Sequence, residues 1–234
     1  MSIASRLDEI RARIGAAARS AGRDPSTIRL VAVSKTFPLD VVREAFSAGH
    51  LDFGENRVQE ALDKIERSAD LPVRWHLLGH LQTNKTRKAA AAFAVVQSVD
   101  SADLLRRIDQ AAGDTGHTPE VLIQVDLAGE AAKYGARPAD VPALFDAAAV
   151  CRAAQVVGLM AIPPAPDSPE DSRAWFRQLR ELRDGWLATG VPAPMLRELS
   201  MGMSGDFEVA VEEGATILRV GTAIFGSRRR GQTP

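Results

Sequence analysis

Hydrophobic positions along the chain follow two alternating spacings, one typical of amphipathic helices and one typical of buried strands. Ile3, Leu7 and Ile10 recur at helical spacing, so the chain is predicted to open with a helix. Beyond it, short apolar runs rich in β-branched residues alternate with further helical patterns, as in parallel sheets buried on both faces. The predicted strands are Leu30–Lys35, Leu51–Phe53, Val73–Leu78, Val95–Val96, Val121–Val125, Val156–Ile162, Met195–Leu199 and Ile217–Val220.

This alternation predicts an α/β fold. Eight predicted strands and their helices in 234 residues indicate one domain, a (β/α)8 TIM barrel over residues 1–234 with an extra N-terminal helix. A doubly wound open sheet is the competing architecture. Residues 227–234, which include the basic run Arg228–Arg230, are expected to form a flexible, solvated tail.

The composition is that of an ordinary globular protein. Hydrophobic residues make up 45% and charged residues 25% of the chain, and the formal net charge is −1. Because nucleic acids and anionic membranes select basic surfaces, neither is expected as a partner. The single cysteine, Cys151, cannot form an internal disulfide, and its flanks predict an inert thiol on a helix. We therefore expect a cytoplasmic protein.

Lys35 places a primary amine at the carboxyl end of the first predicted strand. In α/β proteins, ligands bind at this edge. Apolar neighbours disfavour the ammonium form of a lysine, and a neutral amine attacks carbonyl groups, so the position suits Schiff-base chemistry. The alternative is a lysine that turns outward into solvent, as most lysines do.

Two further segments carry groups that suit an anion. The predicted seventh strand is followed by Ser200–Asp206, which contains hydroxyls at Ser200 and Ser204, two glycines and the start of a helix. The eighth ends in Arg219–Thr222, where alternation turns Arg219 and Gly221 to one face. In a closed barrel, strand eight neighbours strand one. Lys35, Arg219 and a phosphate site would then share a pocket that suits pyridoxal 5′-phosphate or a phosphosugar.

Seven stretches carry a resemblance to a known family. They are Ala32–Lys35, Phe53–Glu60, Trp75–Gln82, Asn84–Lys85, Gly158–Pro163, Leu199–Ser204 and Arg219–Gly226. With them, the chain resembles the pyridoxal-phosphate homeostasis family, single-domain proteins that are similar to the N-terminal barrel of alanine racemase. The resemblance implies that Lys35 holds pyridoxal phosphate as a Schiff base and that Arg219 faces the pyridine nitrogen. With Ser200 from the anion-binding segment, the candidate cofactor-binding residues are Lys35, Asn56, Ser200, Met201, Ser204, Arg219, Gly221 and Thr222.

Within this set, Ser204, Gly221 and Thr222 would hold the phosphate. Asn56 and Met201 would lie near the ring. The expected function is to carry or buffer pyridoxal phosphate in vitamin B6 homeostasis without turnover, as a monomer that supplies apo-enzymes. The chain resembles a racemase barrel without the second domain that completes such enzymes.

An enzymatic role is the main alternative, as a racemase or deaminase that uses pyridoxal phosphate. It needs a second acid–base group, and the single tyrosine, Tyr134, follows the fifth predicted strand. A surface or packing role is favoured for Tyr134, since a lone loop tyrosine is seldom a base. A lysine aldolase without cofactor is the third interpretation.

Two weaker motifs are not expected to bind ligands. Gly79–Thr86 nearly fits a nucleotide P-loop, but Asn84 stands where that motif needs its second glycine. His76 and His80 have the i, i+4 spacing of a zinc site, but they straddle a predicted strand end. Leu77 also replaces the glutamate of the zinc-protease motif. Neither ATP nor a metal is therefore predicted.

Overall fold

Parallel strands form a closed barrel in this protein. The structure is a computed structural model that describes residues 1–129 and 134–226. Within those ranges the eight strands are β1 (Arg29–Val33), β2 (Asp52–Glu55), β3 (Arg74–Leu77), β4 (Val95–Val99), β5 (Glu120–Gln124), β6 (Gln155–Met160), β7 (Glu198–Ser200) and β8 (Ile217–Val220). Each strand pairs with the next, and β1 also pairs with β8. The predicted (β/α)8 barrel is confirmed, and the competing open sheet is wrong.

Helices surround the barrel. In the described part of the chain they are α1 (Ile3–Ser20), α2 (Leu39–Ser47), α3 (Val58–Arg67), α4 (Thr86–Ala92), α5 (Ala102–Thr115), α6 (Val141–Ala148), α7 (Arg173–Ala188), α8 (Phe207–Glu212) and α9 (Thr222–Phe225). The predicted extra helix, α1, packs against α2, α8 and α9. It therefore covers the outside of the barrel where β8 meets β1. None of the described helices is long and apolar enough to cross a membrane.

Side chains alternate between two hydrophobic clusters. The larger joins the helices to the outer faces of the strands. The smaller fills the barrel interior and consists of Val31, Val95, Leu122, Val157, Met160 and Ile217. In β8, Ile217 belongs to the interior cluster while Leu218 and Val220 belong to the outer one. The same alternation turns Arg219 inward, as its sequence position predicts.

Every strand except the eighth has bounds that differ by one to three residues from the prediction, and two of these differences affect the site or have a clear physical reason. The seventh strand was expected over Met195–Leu199, but Ala193–Leu196 forms a 3₁₀ helix and β7 begins at Glu198. Pro194 lacks an N–H donor, and Leu196 is apolar because it is buried, not because it pairs in the sheet. The first strand ends at Val33, so Ser34 and Lys35 begin a turn. The predicted tail, residues 227–234, lies outside the described residues.

Cys151 follows α6 and is half-buried. Burial raises the pKa of its thiol to about 11, with the nearby Asp109 carboxylate adding to the effect. The thiolate is the reactive form of cysteine, so this environment favours an unreactive thiol, although Cys151 follows α6 and does not lie on a helix as predicted.

Candidate functional site

The predicted site residues lie at the carboxyl ends of four adjacent strands. Lys35 follows β1 and Asn56 follows β2, while Ser200 ends β7 and Arg219 lies in β8. The order β7–β8–β1–β2 is continuous in the closed barrel, so the fold brings these residues to one sector of its rim. The register pairs Val31 with Arg219, so Lys35 lies four residues nearer the rim than Arg219 does. Within this sector, the Arg219 guanidinium therefore lies deeper in the barrel and the Lys35 amine lies nearer the rim.

A buried ion pair holds the backbone that precedes Lys35. Lys64 of α3 is 5% exposed, and its Nζ donates to the Ser34 carbonyl (2.9 Å) and to Glu55 Oε1 (2.7 Å). The Ser34 hydroxyl donates to the same carboxylate oxygen (2.6 Å). Burial raises the pKa of Glu55, although Lys64 and Ser34 both favour its charged form. The Ser34 carbonyl, next to Lys35, is therefore held by a buried ammonium group that is itself held by Glu55.

The backbone after Lys35 is held in a strained conformation. Thr36 has a φ of +67°, the one positive value among the described residues other than glycine. A β-branched residue in this region costs about 1–3 kcal/mol and persists only where its surroundings enforce it. Here the Thr36 N–H donates to Glu60 Oε1 (2.6 Å), and Lys64 Nζ donates to the same oxygen (3.1 Å). One lysine thus anchors the chain on both sides of Lys35.

Sequence reasoning missed Glu55 and Lys64. Glu60 and Lys64 have the i, i+4 spacing of an ordinary helix-surface pair. That spacing alone gives no sign that Lys64 is buried under the β1 turn. A helix pattern with a charged residue on its apolar side would have been the available signal.

Arg219 is buried inside the barrel, 4% exposed. Its Nη1 donates to Ser200 Oγ (2.6 Å), and its Nη2 donates to the Ala161 carbonyl (2.8 Å). Burial lowers the pKa of the guanidinium to about 10, which the Asp206 carboxylate partly opposes. Arg219 therefore remains a cation at neutral pH, with a fixed orientation.

The segment after β7 meets the start of α9 through one hydroxyl. Ser204 Oγ accepts hydrogen bonds from the backbone N–H groups of Gly221 (3.2 Å) and Ala223 (3.4 Å). Two convergent amides at the rim suit an anion oxygen as well as they suit a hydroxyl. Thr222 lies between them and is exposed, so its hydroxyl is accessible.

The shape of this segment depends on a glycine and an aspartate. Gly202 has a φ of +88°, and a Cβ there would lie 2.5 Å from the Ala210 Cβ. Asp206 is buried and accepts hydrogen bonds from the Met203 N–H (2.6 Å) and the Ser172 hydroxyl (2.7 Å). These contacts shape the loop from within, which leaves Ser204 as its outward hydroxyl.

Asn56 and Met201 occupy different environments. A Cβ on Gly79 would lie 2.1 Å from the Asn56 carbonyl oxygen, so the glycine lets the loop after β3 pack directly on Asn56. Met201 is fully buried and belongs to the larger hydrophobic cluster. Its side chain therefore lies with the outer core, while Asn56 is half-buried at the rim.

Tyr134 and His80 meet at the rim. Tyr134 is 57% exposed, and its ring stacks on His80 with centroids 3.7 Å apart. His76 lies instead inside the barrel, where its Nε2 contacts Asp52 Oδ1 (2.9 Å). Among residues 1–129 and 134–226, no cluster of three or more histidine, cysteine or carboxylate side chains could hold a metal ion.

Buried histidines should make stability depend on pH. His50 and His76 are at most 5% exposed, and burial lowers the pKa of each imidazole. Unfolding lets each ring bind a proton near its ordinary pKa of about 6.5, so each contribution to stability falls as the pH drops below that value. The limit is about 1.4 kcal/mol per pH unit for each histidine.

The measurement is urea unfolding at several pH values between about 7 and 5. Burial raises the pKa of Glu55 and Asp100, and these carboxyls act in the opposite sense. The decisive quantity is therefore the difference between wild type and His50→Phe. The wild type should lose more stability than the variant across this range, and parallel curves would contradict the prediction.

Comparison with known proteins identifies the group to which this barrel belongs. Residues 5–229 match the family described as alanine racemase, N-terminal domain. The pyridoxal phosphate homeostasis protein of Aquifex aeolicus is 43% identical over 229 residues, covering 98% of this chain and 100% of that protein.

Solved structures agree with this relationship. PipY of Synechococcus elongatus with PLP bound is 42% identical, with a TM-score of 0.85 over 96% of this chain and 100% of that chain. An alanine racemase of Clostridium difficile is 13% identical, with a TM-score of 0.74 over 98% of this chain and 58% of that chain, which supports a shared fold alone. The chain therefore belongs to the alanine racemase N-terminal domain family and, within it, to the pyridoxal phosphate homeostasis proteins.

Proposed function

We propose that this protein binds pyridoxal 5′-phosphate at the carboxyl ends of β7, β8, β1 and β2, and that it carries or buffers the cofactor within cells. The observation that carries this proposal is the convergence of three chemically distinct groups in one sector of the rim. They are the Lys35 amine, the buried Arg219 guanidinium and the backbone amides around Ser204. The full-length similarity to the pyridoxal phosphate homeostasis protein of Aquifex aeolicus, and to PipY, whose structure is described with PLP bound, supports the same conclusion.

The residues present fit the chemical groups of this cofactor. Pyridoxal phosphate, when bound, supplies an aldehyde that can react with a primary amine and a ring that can withdraw electrons. Lys35 provides the amine at the rim. The Gly221 and Ala223 amides and the Ser204 and Thr222 hydroxyls provide donors for a phosphate. Asn56 and the backbone of Met201 complete the proposed set, and Ser200 contributes beneath them.

Arg219 favours a carrier over a transaminase-like enzyme. Its guanidinium is fixed by Ser200 and Ala161, and it would place a positive charge beside the ring nitrogen. A cation there opposes protonation of that nitrogen, so the ring would withdraw electrons only weakly. This disfavours transaminase-like turnover and, together with the placement of Tyr134, supports our proposal of binding without turnover.

A racemase or deaminase is the second candidate. It needs an acid–base group across the ring from Lys35. Tyr134 follows β5 and stacks on His80, and its ring is largely exposed. This placement supports a rim or packing role for Tyr134 over that of a positioned base.

The proposal extends to partners and location. Pyridoxal-phosphate-dependent apo-enzymes would receive the cofactor at the open rim. A monomer is expected, because the β1–β8 pairing leaves the described barrel without an open sheet edge. A single cysteine in the whole chain suits a cytoplasmic location.

Absorption spectroscopy tests the proposal directly. Pyridoxal phosphate is added to the purified protein, excess is removed by dialysis, and spectra are recorded before and after borohydride reduction. A retained yellow colour that borohydride bleaches, with no turnover of a panel of free amino acids, supports the carrier. Clear turnover would favour the racemase or deaminase. A colourless protein that retains no cofactor would overturn the proposal and favour an aldolase-like carbonyl ligand.

A further inference from the structure

A line of hydrogen bonds runs through the barrel interior from Arg219 to the opposite end of the barrel. Arg219 Nη1 donates to Ser200 Oγ (2.6 Å), and the Ser200 hydroxyl donates to Gln97 Oε1 (2.6 Å). Gln97 Nε2 lies 3.0 Å from His76 Nδ1, and His76 Nε2 lies 2.9 Å from Asp52 Oδ1. We call these five residues the interior chain.

The interior chain is fully enclosed at its centre. His76, Gln97 and Ser200 are all 0% exposed. They lie beside apolar interior side chains. Val95 of β4 pairs with His76 of β3, and Ile217 of β8 pairs with Ser200 of β7. A polar group in such surroundings is costly unless each donor and acceptor is paired, and apolar residues would fill the space without that risk. Packing alone therefore does not explain why the barrel interior holds the interior chain.

The donors of the interior chain all point in one direction. Arg219 has only donors, so Ser200 must accept from it and pass its own hydrogen to Gln97. The Gln97 amide then donates to His76 Nδ1, which requires the neutral ring with its hydrogen on Nε2. Burial lowers the pKa of His76, in agreement with that form. His76 Nε2–H in turn donates to Asp52, whose carboxylate ends the chain.

We infer that Ser200, Gln97 and His76 are positioning residues that fix the direction of the Arg219 guanidinium, the group that would face the pyridine nitrogen of a bound cofactor. The inference rests on the proposed function. Because the Ser200 hydrogen is committed to Gln97, a lone pair of Ser200 faces Arg219 Nη1. The Ala161 carbonyl holds Nη2, so the guanidinium plane is fixed by two acceptors. Ser200 would thus act on a bound cofactor through Arg219.

The test compares two glutamines that lie in adjacent strands. Gln97→Met removes the centre of the interior chain at nearly constant volume. Gln124→Met makes the same change in β5. The Gln124 amide donates to the Tyr134 carbonyl (2.7 Å) and does not belong to the interior chain. Both residues are buried, so a general packing effect would be similar in the two variants.

Two readouts are taken for each variant. The first is the ¹⁵N NMR spectrum of the cofactor-free protein, which reports the His76 tautomer and the Arg219 guanidinium. The second is the dissociation constant and absorption maximum of added pyridoxal phosphate. Gln97→Met should alter both Arg219 and His76 signals, displace the absorption maximum and weaken binding by about tenfold. Gln124→Met should leave the Arg219 signals unchanged and bind within about twofold of wild type.

A conservative variant separates positioning from stability. Gln97→Glu keeps an acceptor for the Ser200 hydroxyl but offers no hydrogen to His76 Nδ1. Its Arg219 signals should therefore stay nearer those of wild type than in Gln97→Met, while the His76 signals change, even if the added charge lowers stability. Where Gln97→Met does not fold, Ser200→Ala replaces it and should give the same shift. Unchanged Arg219 signals and unchanged cofactor binding in Gln97→Met, or in Ser200→Ala where it replaces that variant, would overturn the inference. The NMR spectra of the cofactor-free protein show whether the interior chain orients Arg219 even if the wild type fails to bind pyridoxal phosphate. Such a failure to bind would overturn the proposed function and not this inference.

Discussion

Lys35→Ala is expected to abolish covalent capture of pyridoxal phosphate while leaving the barrel folded. The amine is the one group in the proposed site that can form a bond to the aldehyde, so borohydride reduction should leave label only at background. The side chain is half-buried beyond the end of β1. Its loss should therefore change the free energy of unfolding by no more than about 1 kcal/mol. Mass spectrometry of the reduced protein and urea unfolding are the two measurements.

Lys88→Ala is the control, since Lys88 is an exposed lysine on α4 away from the proposed site. It should retain full label at Lys35. Reversible binding to Lys35→Ala should persist at reduced affinity, because Arg219 and the Ser204 loop remain. Undiminished borohydride-stable label in Lys35→Ala would refute the assignment of this lysine.

Lys64→Met is expected to destabilise the protein by about 3–5 kcal/mol, the usual effect of leaving a buried charge without its partner. Glu55 is 0% exposed and would keep only its Ser34 hydrogen bond. The Ser34 carbonyl and Glu60 would lose a donor at the same time. Since a domain is typically stable by 5–15 kcal/mol, this loss is a large share of the total. Urea unfolding of the cofactor-free protein measures it.

The same helix supplies a control for this effect. Arg67 and Asp63 form an exposed pair in α3 (3.1 Å), so Arg67→Met should cost at most about 0.5 kcal/mol. A double variant, Lys64→Met with Glu55→Gln, should recover a large part of the lost stability because it removes the orphaned charge. Equal losses in Lys64→Met and Arg67→Met would show that the buried pair has no special role.

The loss of Lys64 should also reach the cofactor. The strained turn at Thr36 depends on Glu60, which Lys64 holds. Freed from that anchor, Thr36 can relax toward an ordinary conformation and carry Lys35 with it. The stability of the fold and the placement of the amine are thus linked through one buried side chain.

Local sequence pattern was enough to predict the barrel and the strand ends at which Lys35 and Arg219 lie. Hydrophobic spacing is a local property, so it located every strand of the described barrel, although the 3₁₀ helix at Ala193–Leu196 displaces the start of the seventh. Lys35 and Arg219 could be placed because strand ends and alternation follow from short-range pattern. Motifs spread over nearly the whole chain then indicated the family, and the comparisons agree.

The partners of Arg219, and those of the turn at Lys35, follow from the folded structure and could not be read from local pattern. Ser200 and Gln97 are 103 residues apart, and Arg219 and Ala161 are 58 apart, yet each pair is joined by a hydrogen bond. Lys64 looks like a surface lysine in the sequence and is buried because the β1 turn folds over it. The partners of Ser200 and Arg219 depend on barrel closure, which brings distant strands together and removes water between them, whereas those of Lys64 depend on the packing of α3 against β1 and β2. Local pattern determines which way a side chain points, but closure determines what it meets there.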